Sequence, residues 1–309
     1  REMPLSLGVK RIAMPKSKIR VSILNAFAKT KRGGNPAGVV LDADGFTEAS
    51  MQAIAARVGL SETAFLQKSA AADFKVRFFT PAAEVDLCGH ATIAVFSLLF
   101  GLRRIRPGKH SQETKAGILG VEVQEDGTVF MDQTLPLFGN AVDREDVAAS
   151  LGIGLHSLAP DMPVQIISTG LRDIIVPVIS LPVLSSINPD LDKITEISQK
   201  EGAVGYHVFS LETQHQSTAH CRNLAPLYGI PEEAATGTSS GALACYLFKY
   251  GKITEDQAQR LVFEQGYAMR RPSEIVVRLN IKNTDIAGVQ VGGKATEPKE
   301  KILSFPDAD

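Results

Sequence analysis

The chain repeats itself, and that limits its fold more than any local propensity does. Residues 21–27 read as a strand with alternating burial, and residues 164–170 read the same way 143 positions later. Residues 39–41 and 174–176 are the next strands, each followed by an Asp-containing turn and a helical pattern. The first helix, over 47–58, carries Met51, Ile54, Ala55 and Val58 on one face; the second, over 191–200, follows the cap Asn188-Pro189-Asp190. They end at Gly59 and Gly202, where a left-handed cap is expected. Strands over 63–66 and 206–209, then 77–81 and 221–226, lead through acidic loops to two small-residue turns, Cys88-Gly89-His90-Ala91-Thr92 and Thr236-Gly237-Thr238-Ser239-Ser240-Gly241. Each turn opens an apolar helix, over 93–100 and 242–248. Strand pairs, 120–123 with 129–132 and 274–279 with 288–291, close the two runs. Strands are too frequent for regular βαβ alternation, so the expected class is α+β with one central helix per half. The expected boundaries are 14–135 for the N-terminal half and 136–300 for the C-terminal half, the last strand being free to return to the first half. Residues 1–13 read as vector or upstream sequence ahead of Met14, and 301–309 as a tail.

Composition excludes several function classes. Thirty-three basic residues balance thirty-four acidic ones, so nothing favours nucleic acid or an anionic membrane as partner. There is no Trp and only 6% aromatic residues, which argues against base stacking. Cys88, Cys221 and Cys245 are odd in number and widely spaced, neither a disulfide framework nor a zinc pattern, and a reducing cytoplasmic setting is expected. The longest apolar run, 91–101, is too short to span a bilayer. P-loop, dinucleotide, zincin and nucleophile-elbow motifs are absent, and the six His show no metal spacing. A cofactor-free, metal-free proton-transfer enzyme is what remains.

The two turns supply a reason for such chemistry. First-turn N–H groups of a helix lack internal partners, and the helix dipole adds positive character. Two such starts across one cleft could bind a carboxylate or stabilise charge on carbon beside it. The repeat is broken at Glu62, whose counterpart is Gly205; burial would raise its carboxyl toward the range useful for proton transfer. His90 is matched by Thr238, and Glu232-Glu233 by Glu84 and Asp86 as acids that could face the cleft. Cys88 reads either as a thiolate favoured by a helix start or as a small buried hydrophobe.

The ordered set of motifs resembles the phenazine-biosynthesis PhzF-like family, within the superfamily of diaminopimelate epimerase and proline racemase. The set is Gly34-Asn35-Pro36-Ala37-Gly38, Leu60-Ser61-Glu62-Thr63-Ala64-Phe65, Arg77-Phe78-Phe79-Thr80-Pro81 with Glu84, Cys88-Gly89-His90-Ala91-Thr92, Ala235-Thr236-Gly237-Thr238-Ser239 and Gln265-Gly266 with Arg271-Pro272-Ser273. The resemblance implies two pseudo-symmetric halves, each a curved, barrel-like antiparallel sheet around a central α-helix, and a homodimer. It implies a cofactor-independent isomerase of a small carboxylate-bearing molecule, with Glu62 shuttling the proton beside His90. Asn35, Cys88, Gly89, Thr236, Gly237, Thr238 and Ser239 would bind the substrate. Glu233 stands where the family has Asp, one methylene longer, and the Pro after it is gone, which points away from the phenazine substrate itself. Thr236 replaces the second cysteine of the epimerases, disfavouring a two-thiol racemase. The rival expectations are an amino- or imino-acid epimerase or dehydratase using Cys88, and a silent ligand-binding protein.

Overall fold

Two runs of strands pair in the same order and the same sense. The computed structural model describes residues 18–304; the expected upstream segment 1–13 and residues 305–309 lie outside the described residues. The first run holds β1 (Lys18–Ala26), β2 (Asn35–Val40), α1 (Glu48–Val58), β3 (Glu62–Gln67), β4 (Phe74–Phe79), β5 (Glu84–Val85), α2 (Gly89–Gly101), β6 (Gly108–Thr114), β7 (Gly117–Val123) and β8 (Val129–Gln133). The second holds β9 (Leu137–Ala141), α3 (Arg144–Ser150), β10 (Gln165–Ser168), β11 (Arg172–Pro177), α4 (Leu181–Ser186), α5 (Leu191–Glu201), β12 (Gly205–Ser210), β13 (Ala219–Ala225), β14 (Ile230–Glu233), α6 (Gly237–Lys249), α7 (Glu255–Ala258), β15 (Leu261–Gln265), β16 (Ser273–Lys282) and β17 (Asp285–Gly293). The chain closes with β18 (Lys299–Ser304).

In the first run β1–β2, β3–β4, β4–β5, β6–β7 and β7–β8 pair antiparallel, whereas β2–β3 and β4–β6 pair parallel. The second run repeats this from β10 to β17, with β11–β12 and β13–β15 parallel. The sheet is therefore mixed, not purely antiparallel as expected. A parallel pair needs a long crossover, and the segments carrying α1, α2, α5 and α6 supply one each. Antiparallel β8–β17 pairing joins the runs into one hydrogen-bonded sheet. β18 pairs with β1, and β9 pairs with β10. Residues 301–304, expected in the tail, thus form strand against Lys18–Val21.

Helices α2 and α6 are buried on nearly every face; Ile93, Val95, Phe96 and Leu99 of α2 and Leu243, Tyr246 and Leu247 of α6 are fully enclosed. A helix apolar all round belongs inside a core, and these two share one. The outer helices α1 and α5 are amphipathic covers, capped by Thr47 and Asp190 and ended by Gly59 (φ 72°) and Gly202 (φ 63°). Matched ion pairs, Arg77–Glu84 at 2.7 Å and Arg222–Glu232 at 2.9 Å, brace the strands ahead of each central helix. No helix among the described residues is long and apolar enough to cross a membrane.

The repeat breaks at Gly205 for a steric reason. A Cβ there would lie 2.1 Å from the Leu224 carbonyl oxygen, so β12 approaches β13 too closely for any side chain. We expect Gly205→Ala to lower stability by about 1–3 kcal/mol, the usual cost of overpacking, in urea denaturation.

Candidate active site

Each central helix begins at a residue whose side chain does not cap it. Cys88 precedes α2 and Thr236 precedes α6, both with extended backbone and without a side-chain capping hydrogen bond. The helices begin earlier than the 93 and 242 expected, at Gly89 and Gly237, so the small-residue turns are their first turns, and α2 and α6 touch.

Three of the expected site residues gather at the start of α2. Glu62, the first residue of β3, places Oε2 3.1 Å from His90 Nε2. That contact lacks hydrogen-bond alignment, so Glu62 Oε2 is buried without a hydrogen-bond partner among the described residues. Cys88 Sγ lies 3.4 Å from His90 Nδ1 and 4.0 Å from Nε2. Ser61 Oγ stands 3.4 Å from Nε2. Burial pushes the Glu62 carboxyl up, but the His90 side chain and Ser61 outweigh it, and Glu62 titrates below the usual range. This reverses the expectation that burial would raise it: a cation stands beside the carboxylate. Burial disfavours the His90 imidazolium, yet the neighbouring Cys88 sulfur and Glu62 carboxylate hold its proton, and His90 titrates well above its ordinary value. Burial also pushes the Cys88 thiol up, more than His90 pulls it down. The thiolate expectation is corrected accordingly, because desolvation exceeds what the helix start returns.

The start of α6 gathers the rest. Glu233, the last residue of β14, accepts from Asn35 Nδ2 at 2.7 Å and from Thr236 Oγ1 at 2.6 Å. Gln265 closes the arrangement: its Nε2 donates to the Glu233 carbonyl at 2.8 Å, and its Oε1 accepts from Thr236 N–H at 3.2 Å. Burial raises the Glu233 carboxyl, His90 draws it down and Glu62 pushes it up, so the two clusters feel each other electrostatically; the net direction is upward. Glu232 and Glu84, expected as alternatives, turn away to their arginines.

Thr238 and Ser239 do not join Glu233. The Thr238 carbonyl accepts from Thr169 Oγ1 at 3.0 Å, and Ser239 Oγ donates to Asp173 Oδ2 at 2.8 Å. Ser61, Gln265, Thr169 and Asp173 are absent from the site expected from sequence. Gln265 stands within a family motif, whereas Asp173 has no signal beyond a charge at the head of an apolar strand. Donor atoms of Glu62, Cys88 and His90 lie within 4.8 Å of one another.

A family model described as phenazine biosynthesis-like protein matches residues 24–300. The uncharacterized isomerase YfhB of Bacillus subtilis is 36% identical over 287 residues, 91% of this chain and 97% of the relative. The trans-2,3-dihydro-3-hydroxyanthranilate isomerase of Pseudomonas chlororaphis is 29% identical over 285 residues, 88% of this chain and 94% of the relative. The crystal structure of a PhzF-family phenazine biosynthesis protein from Bacillus anthracis superposes with a TM-score of 0.85 at 32% identity, covering 94% of this chain and all of that one.

The ion pair has a pH signature. A raised His90 pKa adds stability that is complete below the unfolded value and lost as pH rises through the folded one. We expect His90→Gln to cost about 1–3 kcal/mol near neutral pH, below the 3–5 of a fully buried pair because Glu62 keeps 20% of its side chain in solvent. The loss should shrink at alkaline pH, as read by urea denaturation across the range.

Proposed function

Because the chain belongs to the phenazine biosynthesis-like family and is an isomerase, we propose that it isomerises a small carboxylate-bearing molecule by moving one proton with Glu62. The observation that carries this reading is the ionised, partly exposed Glu62 carboxylate, with one oxygen free of hydrogen bonds, beside a positively charged His90 at a helix start. An enzyme of this kind needs a base, a charge sink and an anion seat. Glu62 is the base. His90 and the first N–H groups of α2 form the sink.

The matched strand runs are read as two pseudo-symmetric halves, each wrapped around its helix, with the cleft between them. The substrate carboxylate then sits between the N–H groups at Gly89–His90 and those at Gly237–Thr238. Glu62 removes a proton from carbon; the C–H pair delocalises toward the carboxylate as O–H forms on Glu62. The same carboxyl returns the proton to another carbon of the delocalised anion, so proton and charge balance without a net change in the protein. Asn35, Thr236 and Gln265 hold Glu233 on the opposite wall, where it shapes the pocket. Glu233 stands in the position of the family Asp and is already engaged by Asn35 and Thr236. The substrate is therefore proposed to differ from the dihydro-hydroxyanthranilate of the Pseudomonas relative in its contacts there. Cys88 keeps its thiol proton and supports the imidazole.

The test is solvent-hydrogen exchange by NMR in D₂O, with trans-2,3-dihydro-3-hydroxyanthranilate, amino acids and cyclic imino acids as probes. Deuterium should enter one compound with the native protein, and Glu62→Gln should slow that exchange about 10²–10⁴-fold while folding normally. An unchanged rate in Glu62→Gln, with loss in Cys88→Ser, would transfer the base to the thiol.

A further inference from the structure

Of the carboxyls near the two helix starts, Glu62, Glu233 and Asp173, only Asp173 has no role so far. In the first run Ala37 pairs with Glu62; in the second, Asp173 takes the place of Ala37 and pairs with Gly205. Ser239 likewise stands where α2 has Ala91, two residues after the helix-opening Gly. Two alanine positions of one run have thus become a hydrogen-bonded acid and hydroxyl in the other. Asp173 is 2% exposed and Ser239 is 1% exposed. Among the described residues, Asp173 has no cationic partner, and its side chain accepts one hydrogen bond, from Ser239. A buried carboxylate so poorly served costs more than a helix start and one hydroxyl return. The protonated acid is the state this geometry favours.

We infer that Asp173 is a positioning residue of the α6 helix start: held as the neutral acid, it lets that start receive the substrate carboxylate, acting through Ser239 and Glu233. This rests on the reading that a carboxylate sits between the two helix starts. Two acids share the α6 side, and ionising Asp173 would add a negative charge where an anion must dock. Burial pushes Asp173 up to about 7, with Ser239 pulling it down and Glu233 adding to the rise. The titratable groups on the elements around Asp173 are Glu233 from β14 and His207 from β12, and Glu233 in turn feels Glu62 and His90. His207 is driven down to about 4 by burial and stays neutral. Glu233 is the one whose charge reaches Asp173.

The ligand-free protein tests the protonation directly. In ¹³C-aspartate-labelled protein, one carboxyl resonance should titrate near pH 7 and be missing in Asp173→Asn. Ser239→Ala should move that midpoint upward, because the lost hydrogen bond served the ionised form. An Asp173 resonance already ionised at pH 5 overturns the inference. Calorimetric affinity for trans-2,3-dihydro-3-hydroxyanthranilate tests the consequence. Native affinity should fall about tenfold per pH unit above the midpoint, and Asp173→Asn should flatten that slope. A parallel slope in Asp173→Asn overturns the inference alone. No binding by the native protein at any pH overturns the carboxylate reading for this compound, and the inference with it.

Discussion

The contact between Glu62 and His90 is the constraint on which the site depends. A carboxylate and an imidazole brought within 3.1 Å, largely out of solvent, stabilise each other's charged forms. Neither would hold its charge alone there, since burial opposes both. The fold supplies the juxtaposition through backbone already committed elsewhere. Glu62 opens β3, whose register against β2 is set by the parallel pairing, and His90 follows the glycine that starts α2. The helix is clamped by core contacts along its length, so the imidazole cannot drift from the strand. A poor alignment between the two groups then leaves a carboxylate oxygen with unused capacity, which is what a base requires.

Much of the architecture was legible in the chain because it was written twice. The helices ending at Gly59 and Gly202, the turns at Cys88 and Thr236, and the closing strand pairs all lie where periodicity and matched spacing place them. The parallel pairs were not legible, since alternating burial is the same in both senses and only the path of the crossover decides. A last strand returning to the first half was left open, but residues 301–304 read as tail, because their partner lies at the opposite end of the chain and no local pattern announces a pairing so remote.

The site was legible in its residue types and less so in their charges. Glu62, His90, Cys88, Asn35, Glu233 and Thr236 do converge at the two helix starts. Burial alone suggested a raised Glu62 and a helix start suggested a lowered Cys88; at Glu62 the neighbours His90 and Ser61 reverse the direction, and at Cys88 burial does. The His90 cation lowers both groups, but at Cys88 burial and the Glu62 charge outweigh it, whereas at Glu62 it wins over burial. Asp173 was invisible because its partner Ser239 is 66 residues away and its significance appears only when Ala37 is seen in the matching place.

The pairing of β1 with β18 carries a consequence for how the molecule is made. Lys18 sits opposite Ser304, so the outer edge of the first strand is closed by residues synthesised only after both runs of strands. Until then the nascent first run presents a bare row of N–H and C=O groups, the kind of edge that recruits other strands. Contacts of such long sequence separation also slow folding, because loop closure precedes the reward. Charged residues at Lys18 and Arg20 on that edge disfavour mispairing while it waits. The first strand made in the sheet is thus sealed only after both runs have been synthesised.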